Sequence, residues 1–145
     1  CRGMGTTAVV AFVRGDTAYC AHVGDSRIYL LRNGRLLQVT RDHSLVQELV
    51  EKGEIKPEEM RTHPGRNMIT RAVGVGLTVE ADLMQIPLEA GDKLLLCSDG
   101  LTNMVSNEQI AEILLQNGGE QACALLIQKA NNAGGMDNIT AVVIE

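Results

Sequence analysis

Three aspartates in this 145-residue chain share one setting, and the chemistry they suggest is cation binding. Asp25 follows "AHVG", Asp99 follows "LLLCS", and Asp137 stands in "GGMDN" just ahead of "NITAVVIE". Each lies at the mouth of an apolar, strand-like run, with Gly24, Gly100 or Gly135 within two residues. If those runs neighbour one another in a sheet, their ends bring three carboxylates to one edge. Ionised carboxylates so crowded repel, so either one is protonated or a cation holds them. Hard oxygen donors of this kind suit Mg2+ or Mn2+, which keep several waters and accept a few carboxylates. A single Asp-Gly or Asp-Ser is more often a turn than a ligand. Three at strand ends make a candidate divalent-metal site.

The remaining chemistry-bearing residues point to structure. The cysteines (Cys1, Cys20, Cys97 and Cys123) are scattered without a C-x-x-C pair, so they read as free thiols in a reducing, cytoplasmic setting. Ser26 and Ser98 have no histidine and acid placed as a nucleophilic triad requires. His22 reads as a packed strand residue. Asp42 and His43 of "RDHS" read as loop organisers, and Arg27 as the partner of a nearby acid holding the Asp25 turn. A net charge of −5 and only three aromatics (Phe12, Tyr19 and Tyr29) argue against nucleic acid as a partner. No run approaches the roughly 18 apolar residues of a membrane-spanning helix.

Strands must carry those aspartates, and the periodicity supplies them. Residues 7–14 and 17–24 are β-rich runs joined by Gly15-Asp16. Residues 27–32 and 35–40 are joined by Asn33-Gly34, a strong hairpin signal. The four predict an antiparallel meander. The period then changes. Ser44 to Gln47 forms a capping box, Val46, Leu49 and Val50 share a helical face, and Gly53 ends the helix. A short turn starts at Pro57. Residues 61–70, with Pro64 and Gly65, predict an exposed loop. Strands are expected at about 68–73, 80–88 and 92–98. Helices follow from Ser106 to about 117 and over about 120–132, and then comes a last strand. Antiparallel strands interrupted by blocks of helix indicate an α+β fold.

The words "GTTAVV", "HVGDSRIYLLRNG", "TRDHS", "MITRAVG", "GDKLLLCSDGLTNMVS" and "GGMDNITAVVI" occur in that order. In these the chain resembles, over essentially its whole length, the bacterial form of the metal-dependent protein serine/threonine phosphatases of the 2C type. The resemblance implies an antiparallel β-sandwich flanked by helices, a four-layer αββα arrangement, with metals at one end. It matches Asp99 and Asp137 to ligands of the first ion of a binuclear Mn2+/Mg2+ pair. It matches Asp25 to a third, weaker site that Asp99 also touches. Asn103 lies where some relatives have another aspartate for that third ion, and Gly100 and Asn138 stand beside the ligands. The 61–70 loop corresponds to the family's mobile flap, where His63 and Arg66 are placed to meet substrate. Two metals about 4 Å apart activate a water and clamp the phosphoryl oxygens for in-line attack, without a phosphoenzyme.

The resemblance also implies what these residues do not supply. The family's D-G-x-G-G segment, whose aspartate bridges both metals, is not in the sequence. Nor are the family's phosphate-binding arginine and general-acid histidine. Residues 1–145 are therefore expected to be the C-terminal part of a single domain whose N-terminal half is absent, inactive alone and prone to self-association through exposed sheet edges. Implied substrates are phosphoproteins, among them a cognate serine/threonine kinase. The competing reading is a non-catalytic phosphatase-like binding module.

Overall fold

The computed structural model describes residues 3–145. Seven strands form two antiparallel sheets: β1 (Ala8–Arg14), β2 (Thr17–Val23), β3 (Arg27–Arg32), β4 (Arg35–Gln38), β5 (Asp82–Pro87), β6 (Lys93–Cys97) and β7 (Ala141–Ile144). The first sheet has the order β1-β2-β5 and the second β4-β3-β6-β7. Four α-helices, α1 (Leu45–Glu51), α2 (Asp99–Thr102), α3 (Asn107–Gln116) and α4 (Gly119–Asn132), and the expected short turn, a 3-10 helix at Pro57–Glu59, complete the described residues.

Both predicted hairpins form. Arg14 pairs with Thr17 across Gly15-Asp16, and Arg32 with Arg35 across Asn33-Gly34. Asn33 (φ 50°) and Gly34 (φ 76°) both take the left-handed conformation that a tight two-residue hairpin demands. The four-strand meander does not form. β2 and β3 lie in different sheets, because the chain crosses between them at Gly24-Asp25-Ser26. Gly24 has φ 107°, and a Cβ there would fall 2.3 Å from a Thr7 methyl, so only glycine fits this crossing. The strand expected at 68–73 is likewise absent. Only single bridges occur there, Ser44 with Ile69 and Thr6 with Val73.

Alternation along the strands builds two cores. Ala18, Cys20, Ile28, Leu30, Ile86 and Leu94 fill the space between the sheets. Tyr29, Leu31, Leu95 and Cys97 face the opposite way, onto Ile110, Leu114, Ala122, Leu126 and Ala130 of α3 and α4. β3 is central and covered on both sides, which is why "RIYLLR" is apolar without alternation. The Ser106–Gln109 capping box is reciprocal as expected. Ser44 caps α1, but the Gln47 side chain turns to Glu51 instead of reaching back. Three of the four implied layers are present among the described residues, since the outer face of β1-β2-β5 carries no helix. Among the described residues, no helix is long and apolar enough to cross a membrane.

Candidate metal centre

Each of the three aspartates sits where the chain leaves or approaches a strand. Asp25 lies in the crossing between β2 and β3. Asp99 follows β6 and opens the one-turn helix α2, which the sequence pattern did not reveal. Asp137 lies four residues ahead of β7. The exit from β6 and the lead into β7 are stitched together by Ser98. Its hydroxyl donates to the Asn138 carbonyl at 3.1 Å and accepts the Thr140 amide at 3.0 Å. The Ser98 amide donates to the Thr140 carbonyl at 3.2 Å. Gly100 makes this approach possible, because a Cβ there would meet the Asn138 carbonyl oxygen at 2.3 Å. Its small size therefore admits the Asn138 backbone directly beside Asp99.

All three aspartates line one cavity of about 390 Å3. Gly100 and Asn103 line it too, with the Asn103 amide 3.3 Å from Asp99 Oδ2. Asn138 is not part of the wall; its carbonyl lies against Gly100 and accepts from Ser98. Of the two loop residues, Arg66 reaches the cavity. His63 does not; its Nδ1 accepts the Gly65 amide at 3.0 Å within the loop. The sequence did not single out Met60, Arg61, Asn67, Met104 and Met136 as lining residues. Only their proximity to the motif residues could have hinted at them.

Arg27 is the wall's fixed cation. Its guanidinium binds Asp42 in a fork, Nε to Oδ1 at 2.8 Å and Nη2 to Oδ2 at 2.6 Å, and donates to Tyr29 Oη at 2.9 Å. Tyr29 in turn donates to Asn107 at the start of α3. The acid that Arg27 was expected to find is Asp42, with Gln38 donating to the same carboxylate. This pair, two-pronged and sheltered, belongs to the stronger class of charged hydrogen bonds.

The carboxylates are under electrostatic stress. Burial, and after it the neighbouring Asp99, raises the Asp25 carboxyl above its ordinary value. Burial, and after it Asp137, does the same to Asp99. Half-buried acids that destabilise one another and lie beside open space are a donor set that fits a divalent cation.

A family model described as "Protein phosphatase 2C" matches residues 1–139. A "Serine/threonine phosphatase stp" of Listeria welshimeri is 47% identical over 144 residues, covering 99% of this chain and 57% of that protein. The crystal structure of the Mycobacterium tuberculosis serine/threonine phosphatase PstP/Ppp superposes with a TM-score of 0.94 at 45% identity. That match covers 98% of this chain and 60% of the other. A PstP catalytic domain in complex with two manganese ions matches at 42% identity and a TM-score of 0.88, covering 99% of this chain and 61% of that one. The chain spans about 57% of the length of the curated relatives it matches.

Proposed function

The chain belongs to the protein phosphatase 2C family, and from that premise we propose that it is the C-terminal part of a domain that hydrolyses phosphoserine and phosphothreonine in proteins. One observation carries this reading: Asp25, Asp99 and Asp137 converge from three strand junctions on a single cavity that also holds Arg27 and Arg66. In this reading Asp99 and Asp137 hold one ion of a Mn2+/Mg2+ pair, and Asp25 joins Asp99 at a weaker third position. When bound, the ions supply Lewis-acid polarisation of the phosphoryl group and a nucleophile available at neutral pH.

The chain's own residues do the rest. Asp25 and Asp99 must lose their protons to ligate, and their raised carboxyls make cation and proton compete as the pH falls. Arg66 lines the cavity, and its guanidinium suits a phosphate dianion there. Arg27 is neutralised by Asp42 and braces the wall. Met60, Met104 and Met136 offer a polarizable, adaptable lining for residues beside the phosphate. Phosphoproteins, including a cognate serine/threonine kinase, are the substrates of this reading, and the cytoplasm is its setting.

Calorimetric titration with Mn2+ is the test. The 145-residue chain should bind weakly, and Asp99→Asn or Asp137→Asn should abolish binding. Mn2+ binding indifferent to both substitutions would overturn the reading. Hydrolysis of a phosphothreonine peptide by this chain should fall far below that of a relative carrying the D-G-x-G-G segment. Comparable rates would show that these residues suffice.

A further inference from the structure

Three parts of the molecule meet at one residue, His43. His43 is buried and uses both ring nitrogens: Nδ1 accepts the Gly24 amide at 3.0 Å, and Nε2 lies 3.0 Å from Asp82 Oδ2. Its backbone is equally committed. The His43 amide donates to the Gly24 carbonyl at 2.8 Å, and its carbonyl accepts the Thr70 amide at 2.9 Å. One residue is thus bonded to the neighbour of Asp25, to the far end of the 61–70 loop and to the head of β5. The loop's anchorage continues through the Ser44–Ile69 bridge and the Leu45 amide on the Met68 carbonyl at 2.9 Å.

An amide N–H can only donate, so the His43 Nδ1 bonded to Gly24 must present its lone pair. The proton of the neutral ring then sits on Nε2, aimed at Asp82. This assignment removes a competing use of the cluster. His22, His43 and Asp82 offer ligand atoms within 4.8 Å of one another, a spacing that a metal ion would accept. An ion there needs the lone pair of His43 Nε2, which carries the proton as long as Gly24 holds Nδ1. His22 closes the other side of the ring. It packs on His43 at 4.6 Å between centroids, and neither of its nitrogens has a partner among the described residues.

We propose that His43 is a positioning residue that couples the Asp25 turn to the 61–70 loop. The turn depends on it, because Gly24 is held in a left-handed conformation and Ser26 is tied by one hydroxyl contact, 2.8 Å, to Thr7 just ahead of β1. Coupling of this kind is reciprocal: whatever fixes the Asp25 turn also fixes the base of the loop. The functional consequence rests on Asp25 being a metal-site residue, and the test separates the two claims.

Long-range 15N NMR of the imidazoles should show His43 Nδ1 bare and Nε2 protonated; an Nδ1–H ring would overturn the proposal. Two variants divide the side chain's bonds. His43→Asn keeps an acceptor near Gly24 and loses the reach to Asp82, whereas His43→Gln keeps a donor toward Asp82 and loses the acceptor. Amide exchange at Gly24 and Thr70 should be about tenfold faster in His43→Gln than in His43→Asn. Equal exchange at both amides, or a change at Gly24 that leaves Thr70 untouched, would refute the coupling. Asp82→Asn, which still accepts from Nε2, should retain the wild-type tautomer and Gly24 protection, and loss of both would count against it. Mn2+ titration in Asp25→Asn isolates the other claim. If Mn2+ binding there matches the wild type while the two His43 variants still differ, the coupling stands and the metal role of Asp25 falls.

Discussion

The two sheets face each other across one core, yet they are finished very differently. The β4-β3-β6-β7 sheet is roofed by α3 and α4, where Ile110, Leu114 and Leu126 are fully enclosed. The β1-β2-β5 sheet has no such cover. On its outer face Phe12 is 62% exposed and Leu83 80%, beside Val10 and Tyr19. The candidate centre follows this division. Asp99 and Asp137 hang from the roofed sheet, while Asp25 sits in the crossing to the open one. Two carboxylates are therefore held by the self-sufficient part of the molecule, and the third by a turn that leans on His43 and Thr7.

The largest effect should come from breaching the roof. Leu126→Ala is expected to cost about 2–5 kcal/mol in urea unfolding, as large-to-small changes in packed cores do. A loss below about 1 kcal/mol would show that the helix layer is not what stabilises this sheet. Next comes the brace between β3 and the cavity wall. Asp42→Ala leaves the sheltered Arg27 without its fork and should cost about 1.5–3 kcal/mol. Asp42→Asn should recover part of that loss by keeping one acceptor.

A smaller effect tests the crossing against the roofed edge through pH. Asp25 and Asp99 bind protons more tightly folded than unfolded, because burial raises both carboxyls and a neighbouring acid, Asp99 for Asp25 and Asp137 for Asp99, adds to it. Without a cation, that part of the stability falls as pH rises from the ordinary carboxylate range through the raised values. Mg2+ or Mn2+ should therefore raise Tm more at pH 7 than at pH 4 in scanning calorimetry, with about 2–4 °C for each kcal/mol gained. Equal gains at both pH values would contradict the electrostatic account. The smallest effect belongs to the bare face. Phe12→Thr or Leu83→Thr should change stability by no more than about 0.5 kcal/mol. Either should nonetheless weaken the chain's association with a second copy in sedimentation equilibrium, because this apolar face borders β1, an edge strand of its sheet. A wild-type chain that stays monomeric at high concentration would remove that expectation.

The sequence exposed the carboxylates better than it exposed their scaffold. Asp25, Asp99 and Asp137 were legible as a set, because three aspartates near glycine at the ends of apolar runs are harder to read as turns than any one alone. Strand partners were not legible, because alternation specifies which face a residue takes and says nothing about which strand lies alongside. The meander failed at Gly24 for that reason. The fork between Arg27 and Asp42 joins residues 15 apart, and the methionine lining is assembled from loops, so neither leaves a periodic trace. Residues 68–73 look like a strand in composition, but they meet only single bridging partners instead of a continuous neighbour.

The contact between Gly100 and the Asn138 carbonyl also sets an order of events during synthesis. Asp99 emerges well before Asp137, and the bonds from Ser98 to the 138–140 segment span about 40 residues of chain. Until α3 and α4 have docked and residues 137–144 have joined β6, the nascent chain holds these carboxylates apart. Their mutual repulsion then arises only with that long-range pairing, which also brings Ala141 and Val143 onto the core under α3 and α4. The pair of Asp99 and Asp137 thus depends on a pairing between distant parts of the chain, whereas Asp25 and Asp99 meet without it.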